Sequence, residues 1–208
     1  MSSVSIIDYG KGNVRSVYNA LDYLGVNAKI TNDLKSIDDS SHLILPGVGA
    51  YGDAMKAIKS YGLDEILYKQ VIEKGKPFLG ICVGMQVLSK MGYEHGEYEG
   101  LGWLDAQVIK LQAGSECLKI PHMGWNSINL TYDHPIFNGF KNEMLVFYFV
   151  HSFFMFTKDS KKVLANCEYG SNFTASIAWD NIVATQFHPE KSQDAGIDLL
   201  NNFMSWKP

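Results

Sequence analysis

Over the first hundred residues, short apolar runs alternate with segments of helical spacing, and this rhythm limits the chain to a parallel sheet covered by helices. Val4 to Ile7 is closed by Asp8-Tyr9-Gly10, and Val14, Val17, Tyr18, Leu21 and Leu24 then recur at helical spacing up to Gly25. Val26 to Thr31 and Leu43 to Leu45 read as two further strands, the latter punctuated by Pro46-Gly47. Helical patterns run through Met55 and Ile58 and again through Leu63, Ile66, Leu67 and Val71. The apolar strand Phe78 to Ile81 follows Pro77, and Met85, Leu88 and Met91 then predict a single helix that stops at Gly92.

Beyond Gly100 the rhythm changes. Ala106 to Leu111, Trp125 to Leu130, Leu145 to Phe156, Val163 to Tyr169, Phe173 to Trp179 and Ile182 to Phe187 read as strands, with Asp180-Asn181 as a two-residue hairpin turn. These predict antiparallel strands added at the sheet edge. A last helix presents Ile197, Leu200, Phe203 and Met204 on one face. With 208 residues and neither linker nor repeat, residues 1–208 are expected to form one domain.

The 18 Lys and Arg against 22 Asp and Glu leave a net charge of −4 with no long run of one sign. No nucleic-acid partner and no anionic membrane surface is expected from such a balance. The apolar run Met144 to Phe156 is too short for a bilayer span and carries His151 and Ser152, so no membrane association is expected. Cys82, Cys117 and Cys167 are odd in number and widely spaced, which fits a reducing, cytoplasmic compartment. His42, His95, His122 and His134 show no metal-ligand spacing, and no metal or cofactor is expected.

Gly80-Ile81-Cys82-Val83-Gly84 lies where a strand passes into a helix. Glycines two before and two after permit the tight turn of a nucleophile elbow, which exposes the side chain between them. Helix-terminal N–H groups would favour the thiolate, and the Val83 N–H would be available to an oxyanion. The plain alternative is a small buried thiol at a strand end. In Gln186-Phe187-His188-Pro189-Glu190, extended backbone would put Glu190 on the side of His188, ready to orient its imidazole. Elbow cysteine, histidine and glutamate together suggest a catalytic triad at one edge of the sheet, in a chain order unlike that of α/β-hydrolases. Gly10-Lys11-Gly12-Asn13 with Asp33 has the outline of a dinucleotide fingerprint, but Arg15 occupies the third glycine position and disfavours it. Pro46-Gly47-Val48-Gly49 is either a plain turn or the other half of an oxyanion hole.

Gly80-Ile81-Cys82-Val83-Gly84-Met85-Gln86, Thr185 to Ser192 and Pro46 to Gly49 together resemble the triad (class I) glutamine amidotransferases. Asp8 to Asn13, Pro121 to Asn126 and Tyr148 to Ser152 are similar to stretches of the glutaminase subunits of imidazole glycerol phosphate synthases, in the same order along the whole chain. The resemblance implies a three-layer, flavodoxin-like α/β fold with a mostly parallel central sheet and antiparallel strands added in the second half. It implies catalysis by Cys82, His188 and Glu190, an oxyanion hole at Val48, Gly49 and Val83, and a glutamine pocket at Gln86, Glu94, His151 and Ser152. It further implies a heterodimer in which ammonia passes to a (β/α)8-barrel cyclase, for histidine biosynthesis. Gly10, Lys11, Asn13, Pro121, His122, Met123, Trp125, Asn126 and Lys191 would face that partner. Met91 to Gly100 and Phe153 depart from the housekeeping form, so the alternative is a paralogue supplying ammonia for amidination of a surface-polysaccharide sugar. A hydrolase acting alone and a noncatalytic binding module are the readings of other classes.

Overall fold

The computed structural model describes residues 3–112, 118–141 and 145–208, so Cys117 and Met144 lie outside the described residues. The first half alternates as the apolar pattern predicts: β1 (Ser3–Ile7), α1 (Val14–Tyr23), β2 (Asn27–Thr31), α2 (Leu34–Asp39), β3 (His42–Gly47), α3 (Tyr51–Ser60), α4 (Leu63–Leu67), a wide helical turn at Tyr68–Glu73, β4 (Phe78–Cys82) and α5 (Val83–Gln86). Short strands β5 (Ser89–Gly92) and β6 (Tyr98–Glu99) follow, then β7 (Leu104–Lys110), β8 (His122–Leu130), β9 (Val146–His151), β10 (Phe153–Thr157), β11 (Val163–Tyr169), β12 (Ser171–Trp179), β13 (Ile182–Thr185) and α6 (Gln193–Ser205).

Nine strands form one sheet in the order β2-β1-β3-β4-β13-β12-β11-β8-β9. The pairings from β2 to β13 are parallel and those from β13 to β9 antiparallel. The parallel half has the doubly wound flavodoxin-like order, 2-1-3-4-5. Its middle strands β3, β4 and β13 are buried along their whole length, which is why they read as unbroken apolar runs. The chain steps one way from β1 to β2 and the other way afterwards, so right-handed crossovers put α1 on one face and the next helices on the other. Helix α6 packs beside α1, and α4 packs against α2 and α3, completing three layers.

Two expectations need correction. The single helix expected to carry Met85, Leu88 and Met91 is one turn, Val83–Gln86, followed by strand β5. Here long-range hydrogen bonding overrides the local 3.6-residue pattern: Val87, Leu88, Ser89 and Lys90 give their carbonyls to the N–H groups of Leu101, Leu104, Gly102 and Gly100. The apolar run Leu145 to Phe156 is likewise two strands. Strand β9 belongs to the large sheet, and β10 to a second sheet of order β10-β7-β5-β6. The chain changes sheets at Ser152, whose carbonyl accepts the Leu111 N–H.

Candidate active site

Cys82 ends β4 with φ 54° and ψ −108°, a conformation that side chains rarely adopt. Glycines make that turn possible. A Cβ on Gly84 would lie 1.8 Å from the Leu45 carbonyl oxygen, and one on Gly80 2.7 Å from the Gly84 oxygen. A Cβ on Gly47 would lie 2.5 Å from the Tyr9 hydroxyl and 2.8 Å from the Gly84 nitrogen, so strand β3 packs closely against both the elbow and the Tyr9 side chain. Because α5 is a single turn, its dipole contributes little to the sulfur.

Strand β13 lies beside β4, with Thr185 opposite Ile81, so the segment that follows β13 emerges next to Cys82. The His188 N–H donates to the Tyr148 carbonyl, and Ser192 Oγ donates to the His188 carbonyl. The expected extended path from His188 to Glu190 is a 3₁₀ turn, Pro189–Lys191, and that turn brings the carboxylate back to the ring. His188 Nδ1 and Glu190 Oε1 are 2.8 Å apart with both side chains fully enclosed. Asn13 Nδ2 donates to the same oxygen at 3.1 Å. Neither His188 Nε2 nor Glu190 Oε2 has a hydrogen-bond partner. Burial opposes a charge on His188, but the neighbouring Cys82 sulfur and the Glu190 carboxylate outweigh it and hold the imidazole well above its ordinary pKa.

Cys82 and His188 line a cavity of about 160 Å³ together with Val48, Gly49, Val83, Gln86, Glu94, His151 and Ser152. Glu190 stands behind it. Glu94 accepts the Tyr51 N–H at 2.8 Å, which fixes its carboxylate at the start of α3. Gly49 has φ +90°, so its peptide takes a course that a larger residue would resist. Val150 and Phe153 also line the cavity, and neither was expected from the sequence. Gln186 was missed too: its Nε2 donates to Cys82 Sγ at 3.6 Å. The signal was the strand period, since Gln186 and His188 are two apart. A larger cleft of about 500 Å³ between the sheets has Lys110 as its one charged lining residue.

Residues expected at a partner surface divide between two faces of β8. Pro121, Met123 and Trp125 are exposed, whereas His122 is buried against His151 with Nδ1 and Nε2 at 3.2 Å. Asn126 is half-buried, as is Asn13, whose amide is spent on Glu190. Gly10, Lys11 and Lys191 are exposed, and Lys191 Nζ sits 5.6 Å above the Tyr148 ring. Asp33 caps α2 by accepting the Ser36 N–H and is not a free ribose-binding acid. Among the described residues no group of three His, Cys, Asp or Glu could hold a metal ion, and no helix is long and apolar enough to cross a membrane.

Burial lowers the pKa of His122 to about 4 and of His151 to about 3, so both are neutral in the folded protein. Between about pH 4 and 6.5 the unfolded chain therefore binds more protons at these two positions than the native one, and stability falls as pH falls through that window. His122→Asn is expected to flatten this acid limb in urea-unfolding curves recorded from pH 4 to 7. An unchanged slope would show that His122 is charged when folded.

Residues 5–206 match the model of the family Glutamine amidotransferase class-I. The chain is 52% identical to imidazole glycerol phosphate synthase subunit HisH 2 of Nitrobacter winogradskyi over the whole length of both proteins. It is 48% identical to subunit HisH of Aquifex aeolicus over 95% of this chain and 94% of that one. Among solved structures, that of PurLQS from Thermotoga maritima superposes with a TM-score of 0.75 at 20% identity, covering 98% of each chain, and so shares the fold. An elbow cysteine, its neighbouring histidine and these relatives lead to one conclusion: the chain belongs to the class-I glutamine amidotransferase family, among the HisH subunits of imidazole glycerol phosphate synthase.

Proposed function

We propose that this chain hydrolyses glutamine to glutamate and ammonia and delivers the ammonia to a (β/α)8-barrel cyclase subunit, making imidazole glycerol phosphate in histidine biosynthesis. The observation that carries the reading is the cavity that unites Cys82 with His188 and its Glu190 partner in a chain alike over its full length to HisH subunits. In this reading residues 1–208 act as one amidotransferase domain in the cytoplasm, as half of a heterodimer.

The Cys82 thiolate attacks the carboxamide carbon, and N–H groups of Gly49 and Val83 in the loop Val48-Gly49 and at the elbow receive the oxyanion. Protonated His188 gives its Nε2 proton to the leaving nitrogen, so ammonia departs and a glutamyl thioester remains. Neutral His188 then takes a proton from water, whose oxygen attacks the thioester; collapse returns the thiolate and frees glutamate. Glu190 accepts from Nδ1 throughout and keeps Nε2 turned to the sulfur. Gln86, Glu94, His151 and Ser152 line the pocket that takes the glutamine substrate. Pro121, Met123, Trp125, Lys191 and the Gly10-Lys11 turn form the surface offered to the cyclase.

Ammonia release from glutamine is to be measured with the chain alone and with the imidazole glycerol phosphate cyclase of the same genome plus its ribonucleotide substrate, with Cys82→Ala as blank. A large stimulation, lost in Cys82→Ala, is expected. A rate that stays flat with that cyclase, in a protein whose Cys82 is still labelled by a glutamine analogue, overturns the histidine-pathway assignment.

A further inference from the structure

The backbone carbonyl of Phe153, where the chain has just changed sheets, accepts two hydrogen bonds: from His151 Nδ1 at 3.0 Å and from Gln86 Nε2 at 2.9 Å. A carbonyl can only accept, so it dictates the orientation of both side chains. On one side, Gln86 must present its amide nitrogen to Phe153. That nitrogen also donates to Gln186 Oε1 at 3.1 Å, which leaves Gln186 Nε2 facing Cys82 Sγ at 3.6 Å. A flipped Gln186 would set two N–H donors against each other in a fully buried place. On the other side, His151 must carry its proton on Nδ1, so its Nε2 accepts from His122 Nδ1. His122 Nε2 in turn accepts from Asn126 Nδ2 at 3.4 Å, and that amide also donates to the Glu168 carbonyl. His122 is held between the Tyr169 and Phe149 rings, with centroids 4.0 Å and 4.8 Å away.

We infer that Gln186 is a further catalytic residue, donating its amide N–H to the Cys82 thiolate, and that His122 is a positioning residue that sets this donor from β8 through His151, the Phe153 carbonyl and Gln86. The network runs from a half-buried amide on β8 to the reacting sulfur, every member oriented by one carbonyl. It rests on the reading of Cys82 as the nucleophile. Its consequence is that a thiolate on a strained elbow with only a one-turn helix behind it has a neutral, fixed donor besides the charge of His188. A neutral donor stabilises the thiolate before and after His188 has given up its proton.

The test follows alkylation of Cys82 by iodoacetamide against pH, mapped by mass spectrometry, and glutaminase kcat and KM with the cyclase partner present. In Gln186→Leu the midpoint of the alkylation curve moves to higher pH and kcat falls about ten- to a hundredfold, as loss of a hydrogen bond to a charged group implies. KM changes little. Gln186→Met is run in parallel, so that a folding failure of one variant leaves the other to decide. His122→Phe keeps the ring stacking but loses the donor, and shifts the curve in the same direction; His122→Asn, which restores an N–H near Nδ1, returns it towards wild type. An unmoved curve and unchanged kcat in the Gln186 variants overturn the donor role. A wild-type curve in His122→Phe overturns the positioning role. Wild-type Cys82 that is not alkylated at any pH defeats instead the underlying reading of Cys82 as nucleophile.

Discussion

Replacing Glu190 by alanine is expected to lower glutaminase kcat by about two to four orders of magnitude, the range lost when a catalytic histidine loses its orienting carboxylate. His188 Nδ1 would lose its 2.8 Å acceptor, with both side chains buried away from bulk solvent. The imidazole could then turn, or take the tautomer with its proton on Nε2 in the neutral state, which cannot receive a proton from the attacking water. Charge matters as well as aim, because the carboxylate helps to raise the His188 pKa. Glu190 is not part of the cavity wall, so KM should change by less than about threefold, since that interaction is felt chiefly in the transition state. Steady-state kinetics with the cyclase present decide the matter. A fall in kcat of less than threefold would show that backbone contacts alone, such as the His188 N–H to Tyr148, hold the ring.

A second large effect is expected on stability. Gly84→Ala would put a methyl group 1.8 Å from the Leu45 carbonyl oxygen, a distance that no relaxation of the methyl itself can relieve. Strand β3 or the elbow must move, and both lie in the fully buried centre of the sheet. A cost above ~4 kcal/mol is expected, at the exceptional end for one substitution. For a chain of this length that is a fall in Tm on the order of 10–20 °C. Gly25→Ala supplies the contrast. Gly25 has φ +70° but nothing within 4 Å of an added Cβ, so the change costs about 1–2 kcal/mol of backbone strain alone. Thermal unfolding of the two variants side by side tests the argument. Equal melting temperatures would mean that β3 yields to the methyl group without loss.

What the sequence disclosed was the local part of the site. The elbow was legible because Gly80 and Gly84 act within five residues of chain, and His188 with Glu190 because they are two apart. The parallel half of the sheet was legible because β3, β4 and β13 are buried on both faces and leave unbroken apolar runs. Strand β5 was misread because its pairing with β6 and β7 imposes extended backbone on a stretch whose own spacing favours helix. The split of Leu145 to Phe156 left no mark in composition, since both halves are equally apolar and only their choice of sheet separates them. The Gln186 amide near Cys82 depends on an orientation set at Phe153, 33 positions away in the chain, which no local pattern records.

The neighbouring positions of β4 and β13 also govern when the enzyme can exist. Strand β4 is complete at Cys82, yet its partner on the far side is made only at Ile182 to Thr185. About a hundred residues must leave the ribosome between Cys82 and His188, and synthesis at roughly 5–20 residues per second makes that a delay of several seconds. During that time β4 carries an unpaired, fully apolar edge, the kind of strand to which other chains readily add. In the mechanism we propose, it is also a time without glutamine hydrolysis, because Cys82 has no histidine beside it. Pairing of β13 with β4 therefore both covers an exposed apolar strand edge and, in that mechanism, brings the histidine to the cysteine.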